Sequence, residues 1–425
     1  MRKKMIMLGM AFAMFCLLLF SGLALARTTL VVWDIMTESN QYYPAFDAAN
    51  ARFRELYPDV ELKHVPIQND NYKTKLRTAM AADNTPDIFM TWGSAGLKKY
   101  VDNNKVYDLT DDLSKEWQAR FAPAAMGLGN FDGRQYGLPI TNTAVSLLWY
   151  RKDMFEKYGL TPPQTFEELL AVGQVLKQNG ITPFALANKN KWTGSMYFMY
   201  LVDRIGGPGT LQKALNRSGA FNDASFIEAG QKLQQMVDLG FFPKGVNGLD
   251  EDTGQSRALL YADKAAMYLM GSWFVGVVKL ENPAIMDKMD FVVFPAVKGG
   301  RGNPGNLVGT FGDLYFSISA DSEHKEAALN YLKLISDDTM AQELVKAGCI
   351  PPLTGSAKYI DDPVLQKVAE IAQRAESVQL WYDQSLPLEL TQVHLNTTQA
   401  LFDKSITPEE AANKMEATAQ EYFGK

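Results

Sequence analysis

The chain has 425 residues, of which 47% are hydrophobic and 21% charged, and its formal net charge is −6. This length is too great for one ordinary hydrophobic core, so the sequence predicts two domains. The mildly acidic balance excludes the basic surface that a nucleic-acid-binding protein needs, and we expect no nucleic-acid partner.

The first 26 residues have the pattern of a secretory signal peptide. "MRKK" is positively charged, an apolar stretch follows from Met5 to Phe20, and Ala24-Leu25-Ala26 is a small-residue cleavage pattern. We therefore expect cleavage after Ala26 and a periplasmic location. A retained membrane anchor is the alternative, because Met5 to Ala26 nearly reaches the length of a bilayer span.

The two cysteines differ in what they predict. Cys16 lies inside the apolar run and not at the cleavage point, so we do not expect a lipid anchor. Cleavage would remove Cys16 and leave Cys349 without a partner in the chain, which excludes an internal disulfide.

Downstream, strand and helix patterns alternate. "TLVVWD", "VELKHVPI" and "PDIFMTW" are short β-branched or alternating runs that predict strands, and the segments between them have helical spacing. This β-α-β-α-β order indicates a parallel sheet with covering helices. A second α/β unit is predicted over roughly residues 142–304, where a capping box of Thr165 and Glu168 opens one helix.

The last third of the chain continues the α/β pattern. "GTFGDLYFSIS" predicts one strand, and a helix pair follows that ends on Gly348. The final helix opens on a second capping box, Thr407 with Glu410, and has Pro408 at its first position. The fold class predicted from these elements is α/β.

Sequence patterns of catalysis and metal binding are missing. The three histidines, His64, His324 and His394, have no zinc-site spacing, and we expect His394 to be a packed helix residue. The one G-x-G-x-x-G match, at residues 300–305, precedes a strand and is interpreted as a turn. "DEDTG" at residues 250–254 has too few spaced carboxylates for a calcium loop and is interpreted as a surface loop. We therefore expect no enzyme, no cofactor and no metal.

The seven tryptophans are the informative residues. Five follow strand ends or lie in polar loops, where ligands of open α/β sheets bind: Trp33, Trp92, Trp192, Trp273 and Trp381. Trp149 is expected in the core and Trp117 in the core or on a helix surface, and a core position is equally open for Trp33. Gly271 and Ser272 precede Trp273 and are expected to let a ligand come close to the strand.

Polar residues accompany these tryptophans. They are Asp34, Glu38, Asn40, Asn142, Thr143, Asn188, Asp313 and Asp383. Flat aromatic faces pack on the C–H faces of sugar rings, while carboxylates and amides accept or donate hydrogen bonds to hydroxyls. The combination predicts a sugar pocket, although capping and loop solvation are equally open for each polar residue.

Several segments in order, among them "YGLPI", "LLWYRKDMFEKYGLTPPQTFEELL", "GSWF" and "LFDKSITPEEAANKME", give the whole mature chain a family resemblance. It resembles the extracellular solute-binding proteins of family 1 that serve carbohydrate ABC importers and are related to maltose-binding protein. The resemblance implies a two-lobed periplasmic binding protein fold with a hinge. The lobes would be residues 27–140 plus 313–353, and 141–312 plus 354–425. The hinge would pass near Pro139–Thr143 and Gly309–Leu314.

The resemblance also implies partners and site residues. The ligand would be a sugar, delivered by a monomeric binding protein to a membrane permease with ATPase subunits. "GSAG" after the third strand lacks the charged residues of maltose-binding protein, which puts maltose itself in doubt. The positions that match the family's sugar contacts are Trp92, Asn142, Thr143, Trp273, Trp381, Tyr382 and Asp383. Together with the aromatic and polar residues named above, the predicted ligand-binding residues are Glu38, Asn40, Trp92, Asn142, Thr143, Trp192, Trp273, Asp313, Trp381, Tyr382 and Asp383.

Two other functions stay open at this point. A secreted carbohydrate-active enzyme would use carboxylates such as Asp34, Asp313 and Asp383. The same fold with another cargo would bind a polyamine through clustered acids, or a glycerol-phosphate through arginines and helix N-termini.

Overall fold

The computed structural model describes residues 28–424, so the predicted signal peptide lies outside the described residues. The strands of the described chain are β1 Thr28–Asp34, β2 Val60–Pro66, β3 Ile88–Thr91, β4 Asn130–Phe131, β5 Arg134–Gln135, β6 Leu138–Pro139, β7 Ala144–Arg151, β8 Thr182–Phe184, β9 Ala265–Gly271, β10 Met289–Val292, β11 Leu307–Thr310, β12 Tyr315–Ile318 and β13 Val378–Gln379.

The α-helices of the same residues are α1 Tyr43–Leu56, α2 Asn69–Ala81, α3 Ser94–Val101, α4 Lys115–Gln118, α5 Pro123–Met126, α6 Lys152–Lys157, α7 Phe166–Gln178, α8 Trp192–Gly206, α9 Thr210–Leu215, α10 Ala224–Asp238, α11 Gln255–Tyr261, α12 Phe274–Glu281, α13 Lys325–Leu334, α14 Asp338–Lys346, α15 Pro363–Arg374, α16 Tyr382–Ser385, α17 Leu388–Asp403 and α18 Pro408–Phe423. Within residues 28–424, no helix is long and apolar enough to cross a membrane.

The first lobe is built on a five-stranded sheet with the order β2-β1-β3-β12-β6. β1 pairs in parallel with β2 and β3, which confirms the parallel sheet that the β-α-β-α-β pattern predicts. β12, which comes much later in the chain, is antiparallel to both β3 and β6. Helices α1, α13 and α14 contribute apolar side chains to the core around this sheet.

The second lobe is built on a sheet with the order β13-β11-β7-β9-β8. All eight residues of β7 are buried, as expected for a central strand. One edge of β7 pairs with β9, and the other edge pairs with β10 and then β11, all antiparallel. Helix α8 packs on β9 and β11, α10 and α17 pack on α8, and α18 packs on α10 and α17, and together they contribute to the larger core.

The chain passes between the two sheets near residues 140–143 and 311–314, and hydrogen bonds join these crossings to a third segment. The backbone N–H of Thr143 donates to the carbonyl of Ile350 at 2.7 Å, and its hydroxyl donates to the carbonyl of Phe311 at 3.3 Å. The side-chain oxygen of Asn142 accepts from the N–H of Ile350 at 2.8 Å. We call residues 140–143 and 311–314, together with Ile350, the hinge region.

The prediction of one strand over "GTFGDLYFSIS" was wrong. β11 ends at Thr310 in one sheet, and β12 begins at Tyr315 in the other. Between them the Thr310 hydroxyl donates to the carbonyl of Gly312 at 2.8 Å, so the backbone turns instead of continuing. The apolar, β-branched composition on both sides hides this break, because each half is a buried strand of a different sheet.

The predicted helix starts occur where the sequence places them. At α18, the Thr407 hydroxyl accepts from the N–H of Glu410, and the Glu410 carboxylate accepts from the N–H of Thr407, so the capping box is complete. At α7, Thr165 caps the helix, but the Glu168 carboxylate accepts from the N–H of Gln164 at 2.7 Å. Only half of that predicted box is therefore formed.

Candidate functional site

A cleft lies between the two lobes and contains about 1110 Å³ of space between protein atoms, including the part open to solvent. Both lobes line it. The first lobe contributes Ile35, Thr37, Ser39, Asn40, Gln41, Tyr42, Gln68, Asn69, Lys73, Trp92, Asp313 and Leu314, and the second contributes Trp192, Met196, Met199, Glu251, Asp252, Arg257, Trp273, Val277, Trp381, Asp383 and Gln384. A ligand that fills this cleft would touch both lobes.

Three tryptophans of the second lobe form one aromatic wall of the cleft. The ring of Trp273 lies 6.1 Å from that of Trp192 and 5.8 Å from that of Trp381, measured between centroids. The three rings are inclined to one another, so they present faces and edges to the cleft. Trp92 lines the cleft from the first lobe, with the Lys73 ammonium 5.1 Å from its centroid.

Gly271 makes room for the ring of Trp273. A Cβ atom at Gly271 would lie only 2.1 Å from a ring carbon of Trp273, because the indole folds back over the end of β9. Ser272, between them, donates to the carbonyl of Thr143 at 3.3 Å and so ties this turn to the start of β7. The small residue therefore serves the placement of the ring, whereas the sequence predicted that it lets a ligand approach.

Two carboxylates of the cleft, those of Asp313 and Asp383, accept no hydrogen bond from another described residue. Asp313 lies in the hinge crossing and is 8% exposed, and Asp383 lies on α16 of the second lobe. Burial raises the pKa of Asp313 to about 7, the negative charge of Asp383 adds to the rise, and Lys73 opposes it. Burial also raises the pKa of Asp383. Both carboxylates can therefore accept hydrogen bonds from a ligand.

A third carboxylate of the cleft, Glu251, is already satisfied by protein groups. The Arg257 guanidinium and the Tyr268 hydroxyl each donate to Glu251 at 2.6 Å, and the Ser256 hydroxyl also donates to it. Glu251 is 4% exposed, so the interpretation of "DEDTG" as a surface loop was wrong for this residue. The Glu251 carboxylate therefore fixes the side chains around it and is not a free acceptor for a ligand.

Further polar atoms at the cleft are buried without a partner. They are the indole N–H of Trp192 and the side-chain oxygen of Gln384. Buried polar groups are nearly always hydrogen-bonded in proteins, so an unpaired set around one cleft indicates a polar ligand. The sequence did not single out Tyr42, Gln384 or Lys73, because nothing local distinguishes them from other polar residues of helices.

Seven of the predicted site residues line the cleft: Asn40, Trp92, Trp192, Trp273, Asp313, Trp381 and Asp383. The side chain of Asn40 also accepts from the N–H of Tyr42 at 2.9 Å, so it shapes the loop after β1. The other four lie elsewhere. Glu38 is exposed beside the cleft, Asn142 and Thr143 belong to the hinge, and Tyr382 packs on His394 with ring centroids 5.1 Å apart.

The remaining residues considered from the sequence have structural positions. The Asp34 carboxylate lies 2.7 Å from the His64 imidazole, and Asn188 bonds the start of α8. His394 is buried in α17, as predicted, with its Nε2 atom 2.6 Å from the Ser195 hydroxyl. Burial lowers the pKa of His394 to about 3.

The tryptophans outside the cleft lie in or against the hydrophobic cores. Trp117 and Trp149 are core residues, as predicted, and Trp33 packs against the core of the first lobe. Among residues 28–424, no group of three His, Cys, Asp or Glu side chains is placed to hold a metal ion.

A family profile described as bacterial extracellular solute-binding protein matches residues 37–342 of the chain. An ABC transporter extracellular-binding protein of Pyrococcus horikoshii is 27% identical over 327 residues, which cover 75% of this chain and 71% of that protein. The melibiose/raffinose/stachyose-binding protein MelE of Bacillus subtilis is 23% identical over 336 residues, which cover 77% of this chain and 74% of that protein.

A solved structure is also similar. It comes from work on xylan utilization by the thermophilic bacterium Caldanaerobius polysaccharolyticus. That chain is 30% identical to this one, and the two superpose with a TM-score of 0.86 over 92% of this chain and 99% of the other. The agreement over nearly the full length covers both lobes and the cleft between them.

Proposed function

Because the chain belongs to the family of bacterial extracellular solute-binding proteins, we propose that it captures a sugar between its two lobes for an ABC importer. The relative from Bacillus subtilis is named for melibiose, raffinose and stachyose, and the similar structure comes from work on xylan. These names support an oligosaccharide as the ligand of this chain.

One observation carries the proposal: an aromatic wall and unpaired polar groups line the same cleft. The rings of Trp192, Trp273 and Trp381 offer apolar faces for the C–H surface of sugar rings. The carboxylates of Asp313 and Asp383 accept hydrogen bonds from hydroxyl groups. A sugar needs both kinds of surface at once, and the cleft provides both.

The mechanism follows from the division of this site between two lobes. We propose lobes of residues 27–140 plus 313–353 and 141–312 plus 354–425, a division that the sheet memberships and the chain crossings support. A ligand that touches both lobes binds the closed arrangement more tightly than the open one, and therefore shifts the population towards closure. Opening at the membrane releases the sugar.

The proposed partners and location follow from the family. The closed monomer would dock on a membrane permease whose ATPase subunits drive uptake, and the sequence pattern supports export with cleavage after Ala26. We propose that the mature chain works free in the periplasm, since Cys16 is not placed for lipid attachment.

The family consists of binding proteins, and we propose that this chain has no catalytic activity. A glycoside hydrolase is the competing function, because Asp313 and Asp383 are two unpaired carboxylates at a sugar-sized cleft. Sustained release of a chromophore from aryl glycosides, lost in Asp383→Asn, would favour that alternative.

A polyamine is the competing cargo, since the same two carboxylates lie beside tryptophan rings that also attract cations. The ionic strength distinguishes the two ligands. Affinity for a neutral sugar changes little between low and high salt, whereas affinity for a polyamine falls steeply.

Thermal unfolding of the mature chain against a panel of oligosaccharides and polyamines tests the proposal. A ligand at a hundred times its dissociation constant stabilises the protein by about 2.7 kcal/mol, which raises the unfolding midpoint visibly. We expect a rise with one class of oligosaccharide and none in Trp273→Ala. Trp117→Phe, which changes a core tryptophan outside the cleft, is the control and should retain the ligand-dependent rise. No rise with any sugar would contradict the proposal.

A further inference from the structure

The two lobes also touch each other directly at the edge of the cleft, away from the hinge crossings. On the first lobe the contact consists of Gln68 and Asp70, at the start of α2. On the second lobe it consists of Asn190, before α8, and Asp252, before α11. The Asn190 side-chain N–H donates to the Asp70 carboxylate at 2.5 Å, and the N–H of Asp70 donates to the Asp252 carboxylate at 3.2 Å.

The contact is electrostatically balanced. Asp252 lies beyond the N-terminus of the 13-residue helix α2, where the free backbone N–H groups and the helix dipole favour a negative charge. Asp70 receives the Asn190 amide, and the Lys73 ammonium lies 3.6 Å from its carboxylate. These donors offset the repulsion between the two carboxylates. That repulsion, after burial, raises the pKa of Asp252.

The second lobe holds its half of the contact in place. The side-chain oxygen of Asn190 accepts from the N–H of Glu251 at 2.8 Å, and the Asp250 carboxylate accepts from the N–H of Asp252 at 3.0 Å. Lys189 binds Asp250 at 2.7 Å. Both groups that reach the first lobe are therefore fixed before the lobes meet, which lowers the entropy cost of making the contact.

We propose that Asp70, Asn190 and Asp252 form an interlobe latch that keeps part of the population closed over an empty cleft. Opening the cleft breaks both hydrogen bonds of the latch, whereas no bond of the hinge region is required to break. The latch stabilises the closed arrangement with or without a ligand, and its effect does not depend on which solute binds in the cleft. Because the latch favours closure, its loss would weaken ligand binding by the factor by which the closed population falls.

Single-molecule fluorescence energy transfer on the ligand-free protein tests the latch. Dyes are placed on Glu55→Cys and Lys213→Cys, one exposed helix position in each lobe, and the native Cys349 is buried and does not compete for label. The variants are Asp70→Ala, Asn190→Ala and the double variant. Lys191→Ala is the matched control, because it removes a hydrogen bond from the same loop to Asn396 that stays within the second lobe.

We expect two populations in the wild type and a closed-to-open ratio that falls at least about fivefold in each latch variant, since a hydrogen bond to a charged group is lost. The double variant should be no more open than the single variants, because the two side chains share one interaction. The Lys191→Ala ratio should match the wild type. A wild type that is wholly open, or a ratio unchanged in the latch variants, would overturn the latch. Neither result bears on sugar binding, which the unfolding panel decides separately.

Discussion

The carboxyl group of Asp313 lies out of water at the point where the chain crosses between the lobes, with Asp383 as its charged neighbour. A buried carboxyl group without a partner destabilises the unliganded protein, but it is available to accept a hydrogen bond from a ligand. In the proposed site, a sugar hydroxyl that donates to Asp313 would replace the water that the carboxyl group lost on folding. We therefore expect Asp313 to lower the stability of the unliganded protein and to strengthen ligand binding.

The pH dependence of stability measures this cost. The pKa of Asp313 is raised to about 7, above the ordinary value of about 3.9 in an unfolded chain, so stability falls as pH rises from about 4 to 7. Asp313→Asn removes the ionisable group. We expect it to stabilise the unliganded protein at pH 8 by roughly 1 to 4 kcal/mol and to have little effect at pH 4.

Thermal unfolding at the two pH values gives the comparison, with the exposed Asp111→Asn as the control. Equal effects of Asp313→Asn at pH 4 and pH 8 would show that the carboxyl group titrates normally.

At the scale of elements, the sequence predicts what depends on near neighbours. Buried strands such as β1, and the capping residues of α18, follow from patterns a few residues long. The break between β11 and β12 does not, because it depends on which sheet each half joins. The paired carboxylates of Asp313 and Asp383 also could not be predicted as a pair, since 70 residues and a lobe boundary separate them along the chain.

The contribution of the α18 capping box to stability can be tested with one substitution. The Thr407 hydroxyl accepts from the N–H of Glu410 at 3.1 Å, and Thr407→Ala leaves that group unpaired. We expect a loss of about 1 kcal/mol in the free energy of unfolding, measured by denaturant titration. Thr418→Ala, in the same helix, removes only a hydroxyl bond to the Lys414 carbonyl and should cost less. Equal losses would mean that the cap contributes nothing of its own.

At the scale of the molecule, two sheets with separate cores meet along a cleft that each lobe lines in part. The hinge region keeps the lobes connected, and the interlobe latch joins them at the cleft edge. Neither lobe alone has the aromatic wall together with Trp92 and Asp313. The proposed site therefore needs both lobes together, and the resemblance of the sequence to a two-lobed family predicted this architecture better than any single motif.

The proposal that a sugar binds between the two lobes is tested most directly by a crystal structure. The crystals are grown with the oligosaccharide that most raises the unfolding midpoint of the protein. We predict sugar rings in the cleft, in contact with Trp273 and Trp92, and hydroxyl groups within hydrogen-bonding distance of Asp313 or Asp383. An oligosaccharide bound outside the cleft, or one that contacts a single lobe, would contradict a sugar site shared by the two lobes.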